Sequence, residues 1–529
     1  MDDKNVAVLA TDSAATNNDN GDPQQDLPNE EAQRGVQDVE AMALTWSKLT
    51  LIGIFLNIWL LYFVNAFQST ILSNLLPYAT SAFESHSLLN VIYVVAGSMS
   101  AATYMPLSKI MDVWGRAEGF LIMTVFATLG LILMAASNGI ATFCAAYVFY
   151  SIGFGGMTYA VDVITADASQ LKNRGLAYAF TSSPYIITAF AGAKASEGFY
   201  NDISWRWGFG VFAIVFPIVA APLYFILKIN LRKAERQGLL NKEPSNRTIL
   251  QSIWYYSVEF DAMGVFLFSV GLTVFLLPFN IADSAPNGWS SGYIIAMIVV
   301  GFVMLIIFTV YETFLAPIPL LDWNLLIDRT VIGACLLDAT YQISLAEAGY
   351  VNNTFNVVSG VLLLIVGFLI RRTGRFKWLL YIAVPLYIFA QGLMIYFRRP
   401  NQNVGYLVMC QVFISIGALA LLNVVGTVGD AMGATISGAI WTNTFQKALE
   451  RYLPESALPD LDVIYEDLDT QLSYPVGSAV RLAIQKAYAY SQTRMLAAGT
   501  GVMGLAIIWM LMIRNINLAK VAQVKGMVF

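Results

Sequence analysis

The stretch Leu49-Thr-Leu-Ile-Gly-Ile-Phe-Leu-Asn-Ile-Trp-Leu-Leu-Tyr-Phe-Val-Asn-Ala-Phe67 carries no charged side chain. A helix rises ~1.5 Å per residue, so about 20 mostly apolar residues cross the ~30 Å hydrocarbon layer of a bilayer. Lipid offers the backbone no hydrogen-bond partner, and a helix satisfies its own N–H and C=O groups within one segment. The stretch therefore reads as a membrane-spanning helix, and it recurs. Comparable runs occupy 88–107, 119–137, 140–164, 176–199, 207–227, 260–282, 292–315, 351–370, 378–397, 405–428 and 495–513. Two weaker runs stand at 331–345, which is short, and 431–445, which is rich in Gly, Ser and Thr.

Composition agrees. Of 529 residues, 57% are apolar and 12% charged, with a mean hydropathy of +0.61, too little polar surface for a soluble domain. The net charge of −5 and pI near 5.1 argue against a nucleic-acid partner, which needs clustered Lys and Arg. Cys144, Cys335 and Cys410 each lie in an apolar run, where a thiol acts as a small hydrophobe, and form neither a disulfide framework nor a metal site. One histidine, His86, cannot build a site for a naked transition metal. No Walker motif and no Gly-x-Ser-x-Gly is present, so no enzyme and no bound cofactor is expected.

Lys and Arg remain on the cytoplasmic side of spans. Lys109 and Arg116 follow the second span, Lys172 and Arg174 the fourth, and Lys228, Arg232, Lys233 and Arg236 the sixth, whereas 68–87 and 283–291 hold no basic residue. The N-terminus is thus placed inside. The basic turn Arg371, Arg372, Arg375, Lys377 and the terminal Arg514, Lys520 and Lys525 also fall inside only if both weak runs cross. Fourteen spans satisfy these parities, with Arg398 and Arg399 the exception.

The expected division is a disordered acidic cytoplasmic tail over 1–46, a six-helix half over 47–228, a cytoplasmic linker with two inserted spans over 229–330, and a C-terminal half over 331–515. That half contains an external loop, 447–493, and 516–529 forms a cytoplasmic tail. The fold class is all-α, a polytopic helical bundle.

The turn after the second span reads Ser108-Lys-Ile-Met-Asp112-Val-Trp-Gly115-Arg116. Asp112 and Arg116 can pair across a tight turn that Gly115 permits. The segment Gly367-Phe-Leu-Ile-Arg371-Arg-Thr-Gly374-Arg375 repeats the Gly-Arg spacing eight spans later, the signature of a duplicated bundle with two extra spans between its halves.

Asp112, Gly115 and Arg116 resemble the loop motif of the major facilitator superfamily, and fourteen spans are similar to its proton-coupled branches. Ser108 stands where the family has a leading glycine, and Ala117-Glu118 where it has basic residues. Longer segments narrow the likeness: Asp162-Val-Ile-Thr-Ala-Asp167, Arg174-Gly-Leu-Ala-Tyr-Ala-Phe-Thr-Ser-Ser-Pro184, Val358-Ser-Gly-Val through Gly374 to Trp378, and Ile436-Ser-Gly-Ala-Ile-Trp-Thr-Asn443. These resemble the fungal siderophore iron transporters.

The resemblance implies the major facilitator fold, two six-helix halves with two inserted central helices, and import of ferric siderophore chelates of hydroxamate type by proton symport. It implies a monomer in the plasma membrane or an endosomal vesicle, with lipid bilayer, substrate and protons as its partners, and iron that arrives already chelated. It also implies more helix than this chain carries after Ser344 and after Gly417. Drug efflux by proton antiport and a non-transporting nutrient receptor are the rival readings.

A carboxylate inside a membrane costs about 2.5–3.5 kcal/mol on insertion scales and usually faces a cavity or a partner. Asp162, Glu197 and Asp338 are the candidates for proton coupling. Asp112, Gly115, Arg116, Gly374 and Arg375 form the candidate gating motif. Tyr465, Tyr474 and Arg481, in the last external loop that the resemblance associates with siderophore handling, are the candidate substrate contacts.

Overall fold

The computed structural model describes residues 34–83, 89–171, 173–240, 248–282, 285–317, 328–345, 352–398, 404–417 and 423–515. All regular structure among them is helical.

The N-terminal half is built from α2 (Lys48–Ser81), α3 (Leu89–Val113), α4 (Arg116–Ala136), α5 (Ile140–Asp167), the pair α6 (Arg174–Ser182) and α7 (Pro184–Gly198), and α8 (Trp205–Arg236). Local chemistry sets several boundaries. Ser47 Oγ accepts from Thr50 N at 3.2 Å to start α2, and Ser204 Oγ accepts from Arg206 N to start α8. Pro184 lacks the N–H that would continue α6 and stands at the first position of α7, where that donor is not needed. The fifth span is therefore two helices rather than one. Ile54, Ile58, Phe120, Phe154, Phe209 and Phe216 lie in one buried core shared by these helices.

The inserted pair follows as α9 (Ile249–Glu259), α10 (Ala262–Leu276), α11 (Pro278–Ile281) and α12 (Gly292–Phe314). Thr248 and Gln251 form a reciprocal capping box at the start of α9, a helix that hydropathy did not separate from the linker. The chain bends by 55° between α9 and α10. At the bend Asp261 takes a left-handed φ of 44°, accepts from Gly264 N at 3.2 Å, and accepts from Tyr311 Oη at 2.9 Å. One buried carboxylate thus starts α10 and ties it to α12.

The C-terminal half comprises α13 (Arg329–Leu345), α14 (Asn352–Thr373), α15 (Lys377–Phe397), α16 (Val404–Gly417), α17 (Asn423–Tyr452), α20 (Ala479–Met503) and α21 (Ala506–Met512), with α18 (Leu461–Glu466) and α19 (Leu468–Ser473) between α17 and α20. Leu337, Tyr387, Ile414 and Leu496 belong to its core. The weak run 431–445 is part of α17. The two joints where relatives were expected to carry more helix abut 346–351 and 418–422, outside the described residues.

Among the described residues, seven helices are long and apolar enough to cross a membrane alone, or eight if the bent α9–α10 pair is one span. Together with the shorter helices, they give the expected bundle of two six-helix halves and two inserted helices. The halves meet where α3 packs on α17 and where α6 and α7 pack on α14.

The last residues of the segment read as a disordered tail are helical. Residues Arg34–Thr45 form α1, with Val39, Ala41, Met42, Ala43 and Trp46 buried against α3 and α8. Its apolar residues are too few to register as a span, yet they recur on one helix face.

Candidate functional site

The sequence turns Asp112–Arg116 into a compact charge cluster. Gly115 has φ 115°, a region that side chains avoid, and this lets Arg116 fold back from the first position of α4. Arg116 is only 8% exposed. Its Nη1 donates to Asp112 Oδ1 at 2.6 Å and its Nε to Asp167 Oδ2 at 3.0 Å, so one guanidinium joins α3, α4 and the end of α5. Lys228 on α8 pairs with Glu118 beside it. The second turn matches in backbone but not in charge. Gly374 has φ 66°, whereas Arg375 is exposed, and Arg371 holds the place that Asp112 holds relative to its glycine.

Just above that cluster on α5 stands Asp162. Tyr62 Oη on α2 donates to its Oδ1 at 2.5 Å, within the range of a charge-assisted O–H···O⁻ bond. Tyr178 Oη on α6 donates to the Asp162 backbone carbonyl at 3.0 Å. Tyr185 on α7 meets the Tyr62 ring edge-on at 6.4 Å, and Tyr104 meets Tyr159 at 5.5 Å. Polar links continue along α2: Asn65 Nδ2 to Thr158 Oγ1 at 3.4 Å, Gln68 Nε2 to Tyr150 Oη at 2.7 Å, and Trp59 Nε1 to Ser183 Oγ at 2.9 Å. The result is a carboxylate walled by phenols from three helices, an environment that suits a bulky amphipathic ligand. Reasoning from carboxylates alone found Asp162 and missed these tyrosines. Tyr178 and Tyr185 both lie in the segment from Arg174 to Thr188 that carries the family likeness.

The structure does not bring Glu197 to this site. It ends α7, is 57% exposed at its side chain, and pairs with Lys194 at 2.6 Å. Asp338, 1% exposed, lies in the other half on α13. There α13 packs tightly on α17: a methyl group on Gly429 would stand 2.5 Å from the Ala339 carbonyl oxygen.

The segment after α17 folds into a cap with its own core, including Phe445, Leu449, Ile464 and Ile484. Tyr465 packs its ring 5.9 Å from that of Phe445, and Tyr474 is half-buried against the same core. Arg481 Nη1 donates to the Gln471 carbonyl. Buried Gln471, which sequence reasoning passed over, donates from Nε2 to the Ile464 carbonyl at 2.6 Å and accepts from Tyr488 Oη at 2.8 Å. The candidate contacts Tyr465 and Arg481 are thus half-buried, the tyrosine packing its ring on Phe445 and the arginine giving one donor to the cap's backbone.

The cap also reaches the other half. Tyr200 Oη donates to Asp469 Oδ1 at 2.9 Å, and Leu468 N donates to Ser81 Oγ at 3.3 Å. Burial, then the hydrogen bond and charge of Asp469, push the Tyr200 phenol up to about 12, so it remains a donor at neutral pH. On the face of the basic turns, α6 and α14 meet backbone to backbone at Gly175 and Gly367. Among the described residues no group of His, Cys, Asp and Glu is arranged to hold a metal ion.

The major facilitator superfamily model matches residues 58–327. The chain is 53% identical to the siderophore iron transporter mirB of Emericella nidulans, covering all of this chain and 94% of that protein. It is 52% identical to the siderochrome iron transporter D of Aspergillus fumigatus, covering 96% and 92%. The alignment with the Emericella protein runs over 570 positions, so that relative holds about forty residues with no counterpart here. In fold the chain is similar to the crystal structure of tetrameric PepTSo2, with a TM-score of 0.52 at 13% identity over 87% of this chain and 98% of that one. With relatives this similar over their whole length, the chain belongs to the siderophore iron transporters of the major facilitator superfamily, multi-pass membrane proteins that transport rather than catalyse.

Proposed function

We propose that this chain imports ferric siderophore chelates of hydroxamate type, by proton symport with alternating access between its two halves, as a monomer in the plasma membrane or an endosomal vesicle. The observation that carries the reading is the position of Asp162. Its carboxylate accepts from α2 through Tyr62, and its carbonyl accepts from α6 through Tyr178. A proton on Asp162 removes the charge that strengthens the Tyr62 bond and loosens the hold of α5 on α2. Through Tyr178 the same residue is tied to α6, the helix that carries Gly175 to the contact with Gly367. Protonation thus biases a contact between the halves, which is what coupling requires. The phenol rings supply apolar area for a chelate that brings its own iron ligands.

The test is uptake of radio-iron-labelled ferric siderophores by cells expressing this chain under iron limitation. Uptake abolished by a protonophore is the expected result. Uptake that persists after the proton gradient collapses would remove the coupling, and growth effects confined to drugs would replace the cargo.

A further inference from the structure

A lateral cleft of about 500 Å³ lies between the inserted pair and the C-terminal half. Phe275 on α10 and Phe279 on α11 form one wall. The other is the face of α17 that presents Met432, Ile436, Ile440 and Thr444 at intervals of four residues, which fall on one side of a helix. This is the signature segment 436–443, which the proposed transport cycle leaves without a role. From Ile440 to Met432 the face runs about 12 Å at ~1.5 Å per residue, close to the depth of one leaflet's hydrocarbon, about 15 Å.

At the polar end, beside Asn443 and Thr444, lies Arg494 of α20. Its guanidinium rests 3.5 Å from the centroid of the Tyr490 ring and its Nη1 donates to the Tyr490 carbonyl at 3.5 Å, which holds its plane; a guanidinium carries five N–H donors, so others remain for a ligand at this exposed position. Among the described residues it makes no ion pair. The cleft is open to the surface, and Arg494 stands one turn past Ser491, which bonds Thr444 at 3.0 Å at the base of the cap. A cation there, beside an apolar groove of acyl length, is complementary to a phosphodiester with a fatty chain.

We propose that the cleft holds one glycerophospholipid from the leaflet on the cap side, its phosphate on Arg494 and an acyl chain along Ile440, Ile436 and Met432. The lipid fills the gap between inserted pair and C-terminal half, and its headgroup joins α20 to α17 where the cap begins.

Native mass spectrometry of the purified full chain, with dioleoylphosphatidylcholine and dioleoylglycerol as probes, tests this. One phosphatidylcholine is retained by the wild type. Arg494→Ala and Arg494→Gln each weaken its binding about tenfold, the loss of a hydrogen bond to a charged group. Arg494→Lys retains part of the affinity, Ala439→Trp closes the groove, and dioleoylglycerol, which lacks the phosphate, binds weakly to all. Arg494→Gln keeps a polar side chain on an exposed position, so its effect is read on a folded protein, checked by an unchanged gel-filtration profile. Equal phosphatidylcholine binding by wild type and Arg494→Gln overturns the proposal, as does dioleoylglycerol binding as tightly as phosphatidylcholine. Displacement of the lipid by a ferric siderophore, with the same dependence on Arg494, would assign the cleft to substrate instead.

Discussion

A methyl group built on Gly367 would stand 2.9 Å from the carbonyl oxygen of Gly175, so the two halves touch at bare backbone on the face of the basic turns. Overpacking such a contact costs about 1–3 kcal/mol, a population shift of roughly five- to 150-fold. Gly367→Val is therefore expected to hold this face open and slow uptake. A cysteine at Leu176, placed in the variant, should react faster with an impermeant maleimide presented to that face, and an unchanged labelling rate would show that the contact does not gate.

Arg116 is shared by Asp112 and Asp167. Arg116→Ala strips both carboxylates of their partner, and the expected loss is about 2–3 kcal/mol, typical of hydrogen bonds to charged groups. Arg116→Lys keeps the charge but cannot reproduce a planar fork reaching two acceptors, so it should fall between. Thermal unfolding in detergent ranks the three proteins. No matching loss is expected for Arg375→Ala, because Arg375 is exposed.

That difference marks what was legible in the sequence. Long apolar runs and the side preference of Lys and Arg carry enough signal to place the helices, because every residue of a span contributes to it. Gly115 and Gly374 identified both turns, since only a positive φ requires glycine there. The carboxylate at Asp162 stood out for its cost in lipid, whereas its phenol partners did not, because tyrosine is common in membrane helices. The contact of Tyr200 with Asp469 links positions 269 residues apart, which no local pattern encodes. Arg481 and Tyr465 read as binding groups because they are polar in a loop, and the packing of that loop, which half-buries both, depends on contacts no local pattern encodes. Helix α1 was hidden by the polar chain that precedes it.

Helix α1 lies against the Asp112–Arg116 turn: Gly35 sits on the carbonyl oxygens of Met111 and Asp112, and Asp38 faces Gly115. Burial first, then Glu118 and Glu235, raise Asp38 to about 6, against the opposing pull of Arg34 and Lys228. The docked helix therefore favours the protonated acid. This contribution is full below the ordinary carboxylate value near 3.8 and is lost as pH rises through about 6. Amide exchange over 34–45, corrected for intrinsic rates, should be slower at pH 5 than at pH 7. Asp38→Asn should flatten that difference, and a profile the same in both proteins would exclude Asp38 as its source.

The cap is held to the N-terminal half by Tyr200 and by Ser81. Tyr200→Phe deletes one partly exposed bond worth about 0.5–1.5 kcal/mol, so the cap should open roughly two- to tenfold more often. Exchange of amides in 455–473 reads that change, and the core of α20 serves as the internal control.

The proposed proton coupling is assigned to Asp162. In proteoliposomes holding wild type or Asp162→Asn, labelled ferric siderophore uptake is measured twice, once under an imposed proton gradient and once as exchange against internal siderophore without a gradient. If Asp162 takes the coupled proton, Asp162→Asn retains exchange but loses gradient-driven accumulation, by at least tenfold relative to wild type. Accumulation by Asp162→Asn that equals the wild type under the same gradient would contradict that role.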